Sequence, residues 1–192
     1  MIMKNFKNVL AVLFVSVILC GCSNSVGKDA TNVESNGGKS VVDEDAAKFV
    51  GTWKSVENAA DGTVTTSEWT FNQDGMGSMT ALIKKSTSID GAILKSNWDL
   101  SGTFNWRKEG SKLIVRTINY DKEIDESDFD IICSDPIRKA NLRNLCSQSV
   151  QSINESMKNA TIDNNWEILE QEEKRLKVKS ADGSIKVFDK VQ

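Results

Sequence analysis

Trp98, Leu100, Gly102, Phe104 and Trp106 occupy every second position of one nine-residue stretch, with Asp99, Ser101, Thr103 and Asn105 between them. Such alternation puts the apolar set on one face of an extended strand and the polar set on the other, a pattern no helix satisfies. The same period recurs along the chain. Trp69 and Phe71 alternate with Glu68, Thr70 and Asn72, and Asp74-Gly75 then turns the chain into Met76–Lys84. Glu109-Gly110-Ser111 turns it again into Lys112–Tyr120, where Leu113, Val115 and Thr117 oppose Ile114, Arg116 and Ile118. Gly51–Glu57, Val64–Asn72, Asn165–Glu170, Arg175–Lys179 and, past Asp182-Gly183, Ser184–Val191 complete the series. About eight strands joined mostly by short turns predict a mainly β fold, an antiparallel meander closed into a barrel or sandwich. With a single proline in the chain, the strands can run long without interruption.

The amino terminus is of a different kind. Val9 to Leu19 is an apolar run with one Ser, preceded by Lys4 and Lys7, too short to remain as a bilayer-spanning helix and flanked as a secretory signal is flanked. Leu19-Cys20-Gly21-Cys22 closes it and resembles the lipobox of bacterial lipoproteins. The resemblance implies a signal peptide over 1–21, cleavage after Gly21, and diacylation of Cys22 followed by acylation of its new amino group. Ser23 follows without an Asp, which resembles the pattern that releases lipoproteins to the outer membrane of diderm bacteria and implies a lipid anchor there; the pattern does not set the face, and the periplasmic one is the expectation. Residues 22–46, rich in Ser, Asn, Gly, Lys, Asp and Glu, read as lipidated Cys and flexible tether, leaving 47–192 as one folded domain.

Between Cys133 and Asn159 the period changes to three and four: Leu142, Leu145, Cys146, Ser149, Val150, Ile153 and Met157 form the apolar face of an inserted amphipathic helix near 141–158. Two starts fit, Asp135 as cap with Pro136 in the first turn, or Asn141 as cap. Cys20 leaves with the signal and Cys22 is acylated, so Cys133 and Cys146 are the remaining thiols, and in an oxidising compartment a pair reads as a disulfide. A straight helix from 135 to 146 would hold its ends roughly 16 Å apart, whereas a disulfide needs Cα atoms within about 7 Å. That bond therefore requires the chain to turn near Ala140-Asn141.

Val50-Gly51-Thr52-Trp53-Lys54 opening the first strand, Trp69-Thr70-Phe71-Asn72 leading to Asp74-Gly75, and Gly102-Thr103-Phe104 together resemble the bacterial lipocalin-like domain lipoproteins, over most of residues 49–120 and more loosely over the last three strands. In that family the Trp of the opening Gly-x-Trp closes the barrel floor beneath a basic residue of the last strand. The resemblance thus implies an antiparallel up-and-down, lipocalin-like barrel closed by Gly51 and Trp53, with Lys186 or Lys190 above the ring. Trp69, Trp98 and Phe104 are the candidate lining of an apolar ligand cavity, with Trp98 at the mouth because it follows the polar Lys95-Ser96-Asn97; core packing is the alternative role for these aromatics. Trp98 and Trp106 lie about 26 Å apart along an extended strand and cannot floor one pocket together.

Composition narrows the functional classes. The chain has no His, which removes the commonest general base and transition-metal ligand. Asp121–Asp130 has the acidity of a calcium loop, yet Glu126 stands where such a loop needs Gly, so these residues read as a solvated crossing. No catalytic residue, metal ligand or cofactor site is assigned. Without its first 22 residues the chain carries 22 basic and 27 acidic groups, the wrong sign for nucleic acid. The expectation is a non-catalytic, lipid-anchored envelope protein that binds a small apolar ligand or, as the alternative, an envelope protein through a barrel with a filled core.

Overall fold

The structure is a computed structural model and describes residues 44–121, 123–159 and 163–191. The expected signal peptide, Cys20, the lipidated Cys22 and nearly all of the tether lie outside the described residues. A short helix α1 (Glu44–Ala47) precedes nine strands: β1 (Gly51–Asn58), β2 (Val64–Phe71), β3 (Met76–Ile89), β4 (Ala92–Glu109), β5 (Lys112–Tyr120), β6 (Phe129–Ile132), β7 (Asp163–Gln171), β8 (Arg175–Lys179) and β9 (Ile185–Lys190). A second helix, α2 (Pro136–Asn159), stands between β6 and β7. The described residues open with α1, where Ala46 is already buried.

Eight strands close on themselves in the order β1-β2-β3-β4-β5-β7-β8-β9, every pair antiparallel, and β1 meets β9 with Trp53 opposite Lys190. This is the expected up-and-down barrel, of the two closures, barrel or sandwich, that the alternation allows. Along β4 the residues Ala92, Leu94, Trp98, Gly102, Phe104 and Trp106 are all buried at even spacing. Eighteen residues of strand extend for roughly 55–60 Å at about 3.3 Å each, more than one small barrel can cover. β4 consequently serves two cores. Its carboxy-terminal half pairs with β5 and closes the barrel, while its first residues, still paired with β3, take β6 as a second neighbour with Ile93 opposite Ile132 and Ser96 opposite Phe129.

The projecting half needs cover, and α2 supplies it. Leu142, Cys146, Val150, Ile153 and Met157 on the helix pack with Ile83, Ile89, Ala92, Leu94, Trp98, Ile124 and Ile131 into one core, as the helical period predicts. The helix nevertheless starts earlier than residue 141. The Asp135 carboxylate accepts from the N–H groups of Ile137 and Arg138, at 2.9 and 3.2 Å, and Pro136 takes the first helical position, where its missing N–H costs nothing. Of the two caps the sequence offers, Asp135 is used, and no turn interrupts the chain at Ala140-Asn141.

That continuity corrects the expected disulfide. Cys133 and Cys146 are free thiols, and the helix runs unbroken from Pro136 past Cys146, without the turn near Ala140-Asn141 that the bond requires. The calcium-like acidic run is a crossing: Asp125 and Asp128 cap a single 3-10 turn (Glu126–Asp128) reciprocally, the Asp125 side chain accepting from Ser127 N–H and the Asp128 side chain from Asp125 N–H.

Candidate functional site

The second core ties the barrel shut at the end bearing α1. Trp53 is 1% exposed and its indole N–H donates to the Phe49 carbonyl at 2.6 Å. Lys190 Nζ stands 5.1 Å from the centre of its ring, so of the two candidate lysines it is Lys190 that covers Trp53. Gly51 makes this possible. A side chain there would begin 2.9 Å from Lys190 Cε, and the residue's φ of +125° is one that L-residues rarely adopt. Trp106 completes the floor, its indole N–H shared between the Asn72 and Met76 carbonyls, each at 3.0 Å, which pins the β2–β3 turn.

Above this floor the interior is a continuous aromatic stack. Phe71 meets Trp106 and Phe104 at 5.3 Å each, Trp69 meets Phe104 and Trp166 at 5.2 Å, and Trp166 meets Phe188 at 5.7 Å, mostly tilted or edge-on. These are the spacings of packed aromatic pairs. Gly77, opposite Phe104, shows how tight the fit is: a Cβ there would fall 2.3 Å from the Phe104 ring. Farther from the floor the inner wall turns polar, with Ser55, Ser67 and Ser180 buried and Lys186 Nζ paired to both oxygens of Glu57 at 2.9 and 3.0 Å.

The three aromatics expected to line a ligand cavity are therefore placed as follows. Trp69 and Phe104, 9% and 0% exposed, are in contact within the barrel core, and the Trp69 indole N–H donates to Ser67 Oγ at 3.1 Å. Trp98 is in the other core, 3% exposed beneath α2 and 5.9 Å from Phe129. It does not frame a mouth together with the other two. The separation of Trp98 from Trp106 is as expected, since each belongs to a different core.

A cleft of about 300 Å³ opens instead on the flank, between the first half of α2 and the 3-10 turn with β6. Lys139 and Arg143, one helical turn apart, form one wall; Glu126 and Asp130 form the other; Phe129, Ile131 and Cys146 make the floor. No ion pair joins any of these four charged groups to another described residue. Burial, and secondarily the Glu126 charge, pushes the Cys146 thiol up to about 11, so it stays protonated at neutral pH. Sequence reasoning missed this cleft: its two walls belong to separate elements, and the signals it did carry, Cys146 and the acidic run holding Glu126 and Asp130, pointed to a disulfide and a solvated crossing.

The element that sets the cleft's width is also held by a polar clamp. Asn154 on α2 accepts from the Ile124 N–H at 2.9 Å and donates to the Ile124 carbonyl at 2.8 Å, fastening the helix to the crossing that carries Glu126. No protein-family model matches this chain, and no curated protein matches it.

Proposed function

We propose that this chain is a lipid-anchored envelope protein, attached to the outer membrane through acylated Cys22, whose lipocalin-like barrel is a filled, non-catalytic scaffold that binds through its outer surface. The observation that carries this reading is the aromatic stack. For an apolar ligand to occupy the barrel, Trp69 and Phe104 would have to part from a 5.2 Å contact and from the neighbours that bury them. Replacing a close-packed interior by a cavity costs free energy that ligand binding would first have to restore. The polar inner wall around Ser55, Ser67 and the Glu57–Lys186 pair further disfavours an apolar guest entering from the other end. Gly51 and Lys190 around Trp53 support the lipocalin-like part of the proposal, because that closure is what the resemblance implies.

The test begins with the anchor. Cys22→Ala should shift the protein from the membrane to the soluble envelope fraction, or block its maturation, whereas Cys20→Ala should not; fatty acid still attached to the Cys22→Ala chain rejects the anchor. The soluble Cys22→Ala chain is then titrated with an apolar fluorescent probe and weighed by native mass spectrometry. No probe uptake and a mass free of small molecules are expected, while saturable uptake or a retained apolar molecule restores the hollow-barrel alternative.

A further inference from the structure

The flank cleft carries charge in an arrangement that selects its guest. Lys139, half-buried, and Arg143 face Glu126 and Asp130 across the opening, and neither wall neutralises the other through an ion pair. A guest bearing only negative charge gains from Lys139 and Arg143 but meets Glu126 and Asp130; one bearing only positive charge meets the converse. A small molecule with both an anionic group and an ammonium gains from both walls at once. Half-buried Phe129, backed by the nearly enclosed Ile131 and Cys146, gives a short hydrocarbon arm a small apolar surface to cover, and about 300 Å³ suits a molecule of that size.

We propose that this cleft is a binding site for a small zwitterion, its anionic group held by Lys139 and Arg143, its ammonium by Glu126 and Asp130, and its hydrocarbon arm laid against Phe129 and Ile131. Arg143 offers a planar fork of donors suited to a carboxylate or phosphate, and Lys139 adds a point charge one turn away. An aliphatic α-amino acid and the phosphoethanolamine head of a lipid share this chemistry. The site rests on the reading that the outer surface is the binding element, but its titration is separate from the apolar-probe titration, so either can fail alone.

The experiment is calorimetric titration of the soluble Cys22→Ala chain with L-leucine and, in a second arm, with O-phosphoethanolamine. Saturable binding of either at one site per chain is expected, the tighter of the two naming the source. Leucinamide, which lacks the anionic group, and 4-methylpentanoate, which lacks the ammonium, should each bind at least tenfold more weakly than L-leucine if the amino acid is the tighter guest. Should phosphoethanolamine be tighter, ethanolamine and inorganic phosphate take their places as single-charge comparisons. Lys139→Gln and Glu126→Gln should each weaken binding about tenfold, with unfolding midpoints unchanged, and Lys158→Gln, at the other end of α2, should leave it unaltered. Absence of saturable binding in both arms, equal affinity for the single-charge compounds, or indifference to both cleft substitutions overturns the proposal.

Discussion

At the scale of single residues, the tryptophans divide by what their rings and N–H groups touch. Trp53 is roofed by Lys190 and bonded to Phe49, and Trp53→Ala should cost about 3–5 kcal/mol, the range for large core truncations. Trp98, expected from sequence to frame an open mouth, is instead as enclosed as Trp53, and Trp98→Ala should lower the denaturant midpoint by a comparable amount. A midpoint for Trp98→Ala near that of the unsubstituted protein would return Trp98 to an open mouth. The difference between expectation and finding has a simple origin. Alternation tells which face of a strand Trp98 is on, but not what lies above that face, and the covering residues Cys146 and Val150 are supplied by an element some fifty positions on. Gly51 and Trp53 were marked by the resemblance of their Gly-x-Trp to a family's opening motif, and the structure supplies a physical reason for the glycine: a side chain at position 51 would begin 2.9 Å from Lys190 Cε.

At the scale of elements, α2 was visible through its apolar face, and its cap through Asp135-Pro136, while the cysteine spacing argued for a break that the helix does not have. Two thiols in a chain read as secreted are a compositional signal, and an unbroken helix from a well-formed cap outweighs it geometrically. β6 was not legible at all, since Phe129–Ile132 is four residues long with Ile131 alone fully buried, too short for a period to register. The Asn154–Ile124 clamp was equally hidden, because an Asn on a helix gives no sign of its distant partner. Asn154→Ala leaves the Ile124 N–H and carbonyl without that partner, and a loss of about 1–3 kcal/mol is expected. Hydrogen exchange should accelerate in α2 and residues 123–132 while the barrel strands keep their protection; uniform acceleration throughout would mean that the helix and barrel unfold as one unit.

At the scale of the whole molecule, eight strands are held in a ring by neighbours that follow one another in the chain, with β6 and α2 inserted between β5 and β7, except at one seam. There β1 pairs with β9, and Glu57 bonds Lys186 across 129 positions of chain. Deleting residues 180–192 removes β9 and leaves β1 and β8 with unpaired edges. The truncated chain should lose its cooperative thermal transition and elute as aggregates in size exclusion, as exposed edges do. A monomeric truncated chain with a sharp transition would show that the seam is dispensable. The same seam sets an order in time. While the chain is being made, seven strands of the ring can assemble as they appear, yet the floor tryptophan stays unroofed until Lys190 of β9 arrives to cover it. The ring is built to remain open until β9 exists and then to lock across that one seam.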